Sequence, residues 1–308
     1  MNGYQVLLQR LEKGKRILID GATGTEIEKR GVPMVNNAWN GLGAMTHPEI
    51  VRAVHEDYIR CGAEIIISNT FSTSRHVLQD AGFEEHFELL NRRGVELAHE
   101  ARTNMDTPYV LVAGGIAYLS FSGRTPPPEV LHSNLEEQAT IMAKAGADLI
   151  MLEMMVDIDR TLIALDAAQK TGLPVWIGFS CKLNAAGEPI LLDGPLLVEG
   201  LSVIKPYEVP VICIMHTEVE YVPTCLRVMK ANWDGPLGVY AHSGKFVQPN
   251  WIFEGVISHE DYASAARGWL ERGVQILGGC CGVGVDHMQA LEEVIQDYPD
   301  VEKGFSHG

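Results

Sequence analysis

Short runs of apolar, mostly β-branched residues recur along the chain. The eight runs cover residues 16–20, 64–69, 109–115, 148–153, 174–180, 210–215, 236–241 and 274–279. Runs that are apolar at nearly every position, rather than at every second one, are typical of strands buried on both faces of a parallel sheet. Most gaps between these runs leave room for the helical crossover that joins parallel strands.

The segments between the runs predict amphipathic helices. Residues 46–49, with the sequence THPE, have the pattern of a capping box with proline in the first turn, and Gly62 ends the apolar-periodic stretch that follows. Further helices are predicted at residues 135–145, 159–169, 258–270 and 286–295.

This alternation of strands and helices predicts an α/β protein, a (β/α)8 TIM barrel that forms one domain over residues 1–308. An open doubly wound sheet is the alternative. Eight regular repeats favour closure, and no Gly-x-Gly-x-x-Gly turn follows the first strand. In a barrel, function resides at the carboxyl ends of the strands. The residues there are Asp20, Asn69, Gly115, Glu153, Ser180, His216, His242, Cys280 and Cys281.

Composition and charge exclude several classes of protein. The 308 residues are 46% hydrophobic and 21% charged, which is typical of a globular chain. Lys and Arg number 24 and Asp and Glu number 40, so the net charge of −16 argues against nucleic acid or an anionic membrane as partner. No apolar run approaches 18 residues and the N-terminus has no signal-peptide pattern, so we expect a cytoplasmic protein.

Two adjacent cysteines, Cys280 and Cys281, follow the last predicted strand within the sequence GGCCG at 278–282. They are interpreted as inert core thiols, as a strained vicinal disulfide, or as ligands of a soft metal. The strand-end position and the flanking glycines favour the metal, because Zn²⁺ prefers thiolate and imidazole ligands. A catalytic zinc takes about three ligands from the protein, so a third residue is needed.

The sequence resembles the homocysteine S-methyltransferase domain, which betaine– and S-methylmethionine–homocysteine methyltransferases share with the homocysteine module of cobalamin-dependent methionine synthase. The resemblance extends from about residue 16 to 295 and is carried by residues 18–26 (LIDGATGTE), 62–71, Glu153 and 278–282. It implies a (β/α)8 barrel and a Zn²⁺ cofactor at the strand ends. Two of the zinc ligands are then Cys280 and Cys281.

The third ligand is where this chain departs from the family pattern. The family has a cysteine at the end of the sixth strand, whereas this chain has His216 at the aligned position and Cys213 three residues earlier. Strand alternation predicts that these two side chains point to opposite faces. Either His216 replaces the thiolate, or the strand shifts and Cys213 serves, or the site binds no zinc.

The resemblance also implies roles for pocket residues. Carboxylates matching Asp20 and Glu153 hold the homocysteine amino group. The backbone around Gly21, together with Asn69 and Thr70, would bind the amino-acid carboxylate or line the pocket. Trp39 would face a cationic methyl donor through cation–π attraction, with packing in the core as the alternative.

The function predicted from these features is zinc-dependent transfer of a methyl group to the thiol of homocysteine or a close relative, with His216, Cys280 and Cys281 as catalytic metal ligands. The partners are small molecules: the thiol and a donor of sulfonium or betaine type. There are two alternatives for the function: methyl transfer from a separate methyl-corrinoid protein, and a barrel that binds ligand without catalysis. For partners, the alternatives are a homo-oligomer and the corrinoid protein.

Overall fold

A computed structural model describes residues 2–298, and its central feature is one ring of eight parallel strands. The barrel strands are β1 (Ile17–Leu18), β2 (Ile65–Ile67), β3 (Leu111–Ile116), β4 (Leu149–Met155), β5 (Val175–Phe179), β6 (Ile212–Glu218), β7 (Leu237–His242) and β8 (Ile276–Leu277). Each pairs in parallel with the next, and β8 pairs with β1. A parallel bridge between Ile19 and Ile65 joins β1 to β2 and closes the ring.

All eight apolar runs form strands, and the predicted TIM barrel is confirmed over the open sheet. The decisive contacts are the backbone hydrogen bonds from Asp20 N–H to the Ile65 carbonyl and from Glu64 N–H to the Leu18 carbonyl. An open sheet would leave these edge groups without a partner strand.

Helices surround the barrel and alternate with its strands. Their bounds are α1 (Gly3–Glu12), α2 (Thr23–Lys29), α3 (Gly43–Thr46), α4 (Pro48–Arg60), α5 (Arg75–Ala81), α6 (Phe87–Asn104), α7 (Pro128–Lys144), α8 (Ile158–Gln169), α9 (Leu197–Ile204), α10 (Val222–Asn232), α11 (His259–Glu271) and α12 (Val285–Asp297), with a 3-10 turn at Glu84–His86. Among residues 2–298, no helix is both long and apolar enough to cross a bilayer.

The capping box predicted at residues 46–49 is wrong. Thr46 is the last residue of α3, and its hydroxyl donates to the Leu42 carbonyl rather than capping α4. His47 is the N-cap residue of α4 and makes no side-chain cap. The helix nevertheless begins where proline predicts, with Pro48 in its first turn.

Helix α1 closes the lower end of the barrel, opposite the carboxyl ends of the strands. Its apolar face, with Leu7 and Leu11, packs on inward-facing strand residues. The indole N–H of Trp176 on β5 donates to the Tyr4 hydroxyl at 3.0 Å. The core therefore seals the lower end, and chemistry is confined to the upper end.

Two antiparallel hairpins extend the upper end of the barrel. The hairpin after β5 pairs Cys181–Leu183 with Pro189–Leu191. The hairpin after β7 pairs Lys245–Val247 with Asn250–Ile252 and is called the β7 hairpin below. Insertions at this end of a barrel are where its specificity is usually built.

Candidate metal centre and substrate pocket

A cavity of about 330 Å³ lies at the carboxyl ends of the strands. Its wall includes most of the site residues predicted from the sequence, namely Asp20, Gly21, Trp39, Asn69, Glu153, His216, Cys280 and Cys281. Thr70 is not among them. It is fully buried, and its hydroxyl donates to the Gly115 carbonyl at 2.8 Å, so it ties the end of β2 to β3.

Two thiols and one imidazole come together on one side of this cavity. The Cys280 sulfur lies 3.5 Å from His216 Nδ1 and 4.0 Å from the Cys281 sulfur, and all three ligand atoms lie within 4.8 Å of one another. A tetrahedral zinc, with bonds of about 2.3 Å to sulfur and about 2.0 Å to nitrogen, separates two sulfurs by about 3.8 Å and sulfur from nitrogen by about 3.5 Å. The group therefore has the donor types of a zinc site, and the two distances from the Cys280 sulfur are close to those of such a site.

The two cysteines are free thiols. A disulfide would need about 2.05 Å between their sulfurs, so the vicinal disulfide is ruled out for this structure. In the absence of a metal, the neighbouring Cys281 thiol and burial raise the pKa of the Cys280 thiol well above its usual value. Metal binding must therefore displace a proton from Cys280.

Backbone hydrogen bonds hold the segment that carries the cysteines against the end of β7. Cys280 N–H donates to the Ala241 carbonyl, and the Cys281 carbonyl accepts from Ser243 N–H, both at 2.9 Å. A Cβ on Gly278 would lie 2.3 Å from the Ile19 side chain. The glycine before the cysteines is thus required by the close approach of β1.

His216 reaches the cavity through an irregularity in β6. Cys213 and Met215 point into the barrel, so regular alternation would direct His216 outward. Instead, His216 has a positive φ of 41°, and the pairing of β6 with β7 shifts register between Met215 and Glu218. The imidazole of His216 then stacks on that of His242, with ring centroids 4.2 Å apart.

The expectation that Cys213 and His216 occupy opposite faces is wrong for this reason. Both lie on the inner side, at different heights. Cys213 is completely buried in the core cluster that contains Leu7 of α1, where burial raises the pKa of its thiol far above the usual value. It is not part of the group of possible metal ligands, which contains His216 instead.

Asp20 and Glu153 form an acidic part of the cavity wall. Asp20 Oδ2 accepts the Ile67 N–H at 2.7 Å, while burial raises the pKa of its carboxyl group well above the usual range. Burial also raises the pKa of Glu153 to about 8. Among residues 2–298, no lysine or arginine lines this cavity. Two buried carboxyl groups without a neighbouring cation can bind a positively charged group of a ligand.

The position of Glu153 depends on a local break in β4. Its side chain reaches Gly115 on β3, where a Cβ would lie 2.8 Å from Glu153 Oε2. The next residue, Met154, has a positive φ of 52°, and its N–H lies 2.9 Å from the Met215 sulfur. Strands β4 and β6 therefore depart from regular geometry at the same level of the barrel.

Six aromatic residues line the cavity, one of which is Tyr240 on β7. The ring of Trp39 meets Phe71, Phe121 and Phe246 edge to face, with centroids 6.4 to 6.5 Å apart. Trp251 is a further aromatic wall residue, 6.0 Å from the His216 ring. Trp39 is 93% buried yet lines the cavity, so packing and ligand contact do not exclude each other here. Sequence reasoning missed the other five rings as site residues; four of them follow strand ends, and Tyr240 lies within β7.

Gly24 in α2 leaves the space that the Trp39 ring occupies, and we expect Gly24→Ala to disrupt the cavity. A Cβ there would lie 1.9 Å from the Asn40 amide nitrogen and 2.6 Å from the Trp39 ring. Overpacking of this kind costs about 1–3 kcal/mol, which urea denaturation measures. Gly268→Ala in α11 is the control, because its Cβ would meet nothing closer than the flexible end of Arg272 at 3.4 Å. Equal stability of the two variants would contradict this account.

The fold and the site together define the class of the protein: a (β/α)8 barrel with a group of possible metal ligands and two buried acids at its catalytic end. The family model of homocysteine S-methyltransferase matches residues 17–295. The chain therefore belongs to the homocysteine S-methyltransferase family, and the resemblance found in the sequence is confirmed.

Individual relatives agree with this assignment. A homocysteine S-methyltransferase of Arabidopsis thaliana is 27% identical, covering 94% of this chain and 92% of the relative. A selenocysteine methyltransferase of Astragalus bisulcatus is 25% identical, covering 92% and 94%. The metallated form of the homocysteine methyltransferase MmuM from Escherichia coli has the same fold, with a TM-score of 0.78 at 24% identity over 95% of this chain and 99% of that chain.

Proposed function

We propose that this protein transfers a methyl group from a small donor to the sulfur of homocysteine or a close thiol, with Zn²⁺ as cofactor. The observation that carries the proposal is the meeting of Cys280, Cys281 and His216 on the wall of the cavity at the strand ends. Family membership supplies the reaction class. The related MmuM structure is known in a metallated form, which supports a metal cofactor.

The acidic wall provides the recognition of an amino-acid acceptor. An ammonium group placed between Asp20 and Glu153 would neutralise both carboxylates in a buried setting, which the free protein cannot do with its own residues along this cavity. The acceptor's carboxylate would lie near Gly21 and Asn69. These contacts direct the thiol of the same molecule toward the two cysteines.

A zinc ion held by His216, Cys280 and Cys281 would keep the acceptor thiol deprotonated at neutral pH, at which a free thiol is only a few per cent ionised. The chain's own residues align the reactants and exclude water. An electron pair on the acceptor sulfur forms the new bond to the methyl carbon. The bond from that carbon to the donor breaks, its electrons stay with the leaving group, and the thiol proton is released to solvent.

The imidazole makes this site less negative than a site with three thiolates. Two thiolates and a neutral imidazole give the zinc site a net charge of zero, against −1 for three thiolates. The acceptor thiol should therefore have a lower pKa here, and its sulfur should be less electron-rich and less nucleophilic. We infer that the donor is a reactive one such as a sulfonium, with Trp39 available to face its positive charge.

We expect His216→Ala to lose most bound zinc and His216→Cys to keep it, as measured by metal analysis of protein purified under reducing conditions. In His216→Cys, the pH midpoint of methyl transfer should move upward, because a third thiolate weakens the depression of the acceptor's pKa. His132→Ala, a change of a surface histidine, is the control. Identical pH profiles for His216→Cys and wild type would contradict the charge argument. Stoichiometric zinc in His216→Ala would contradict the assignment of His216 as a metal ligand.

A further inference from the structure

The cavity is covered by rings that come from opposite sides of the barrel. Phe121 belongs to the loop after β3, and Phe246 belongs to the β7 hairpin. Strands β3 and β7 lie four positions apart in the ring of eight, so the two loops face each other across the opening. Their rings meet face to face, with centroids 4.9 Å apart and planes inclined by 27°.

Each half of this cover is held from outside the cavity. On the β3 side, Asp80 accepts from Arg124 Nε at 2.7 Å and from the Ser122 hydroxyl at 2.6 Å. This network fixes the loop that carries Phe121.

On the β7 side, both carboxylate oxygens of Glu28 accept the Trp251 N–H, at 3.0 and 3.1 Å. Trp251 is paired with Phe246 across the hairpin, and its indole N–H donates to the Ser243 carbonyl at 3.2 Å. The cover is therefore positioned by polar contacts on both sides and does not depend on the stacking of the two rings alone.

We propose that Phe121 and Phe246 form an aromatic roof that limits the size of the methyl donor, an inference that rests on the proposed function. The metal-binding group and the acidic wall occupy the strand ends, so the volume left for the donor lies beneath the roof. In-line displacement requires the leaving group to lie on the far side of the methyl carbon from the acceptor sulfur. The leaving group is therefore the part of the donor that meets the roof.

The size of the cavity sets which sulfonium fits. At about 330 Å³, it is at the lower end of the range for cavities that hold one drug-sized ligand, and it must hold acceptor and donor together. A sulfonium with three small alkyl groups fits such a space. A nucleoside sulfonium is much larger, so we expect its binding to displace the roof and break the ring stack.

The test compares two donors of one chemistry and different size, trimethylsulfonium and S-adenosylmethionine, with homocysteine as acceptor. Wild type should favour trimethylsulfonium in kcat/KM. Phe121→Ala and Phe246→Ala should each raise the ratio of S-adenosylmethionine to trimethylsulfonium at least about tenfold, while zinc content and the KM for homocysteine stay within about twofold. Phe121→Tyr, which keeps the ring, should retain the wild-type ratio.

Phe253→Ala is the matched control, because Phe253 lies just beyond the β7 hairpin, contacts Lys29 and does not line the cavity. An unchanged donor ratio in both roof variants overturns the inference, as does a wild type that uses the two donors equally.

Quenching of tryptophan fluorescence by each donor, with homoserine in place of homocysteine to fill the acceptor space without methyl transfer, gives the same comparison as a ratio of Kd values, since Trp39 and Trp251 line the cavity. Absence of turnover with both donors would count against the proposed function. The ratio of Kd values still tests whether the roof limits donor size: a tenfold shift in the roof variants supports this inference, and no shift rejects it.

Discussion

We expect Cys280→Ser to abolish zinc binding and to lower methyl transfer by roughly a thousandfold, because two protein ligands do not hold a catalytic zinc and the acceptor thiol would then stay protonated. The Cys280 sulfur is the atom that contacts both other members of the group, His216 Nδ1 at 3.5 Å and the Cys281 sulfur at 4.0 Å. Its loss therefore removes the centre of the site. Metal analysis together with initial rates of thioether formation measures both effects.

Cys61→Ser is the matched control for this prediction. Cys61 is 5% exposed, lies away from the cavity wall, and its sulfur donates to the Val285 carbonyl at 3.8 Å, a hydrogen bond that a serine hydroxyl can replace. It should keep about one zinc per chain and wild-type activity. Cys280→Ser protein with full zinc content would show that the ion, if bound, lies elsewhere.

Glu153→Gln raises the KM for homocysteine roughly 10- to 100-fold, the effect expected when a hydrogen bond to a charged group is lost in a buried site. Zinc content should not change, because Glu153 is not among the possible metal ligands His216, Cys280 and Cys281. Isothermal titration with homocysteine separates weaker binding from slower chemistry. Glu129→Gln, on the exposed first turn of α7, is the control.

The same residue predicts the pH dependence of binding. Burial raises the pKa of Glu153 to about 8, so the carboxylate that an ammonium needs forms as pH rises from 6 to 8. Homocysteine affinity should increase over that interval in wild type and should increase less steeply in Glu153→Gln, where only the Asp20 carboxyl group and the acceptor thiol still release protons. An equally steep dependence in the variant would show that Glu153 does not carry the titrating proton.

Stability should respond to pH in the opposite direction. Between the ordinary pKa of 4.5 and about 8, Glu153 is ionised in the unfolded chain and protonated in the folded one, so the free energy of unfolding falls as pH rises. Glu153→Gln lacks this penalty and should lose less stability than wild type between pH 5 and pH 8. Urea denaturation at the two pH values measures the difference.

Much of the architecture could be predicted from local patterns. A strand buried on both faces has to be apolar at nearly every position, and the runs that became β1 to β8 are. Likewise, the glycines before Cys280 and Cys281 indicated a backbone in close contact, and Gly278 does lie against Ile19. Thr46 shows the limit of such reasoning, because a capping pattern cannot tell whether its first residue already ends another helix.

The sequence by itself determined the barrel, the pair of thiols and the two acids, because each depends on residue type at a strand or its end. Only the tertiary structure decided that His216 turns inward, since that follows from a positive φ and a shift in strand pairing that alternation does not encode. It also decided that Phe121 and Phe246 meet. Residues far apart in the chain become neighbours only when the ring of strands closes and brings opposite loops across one opening.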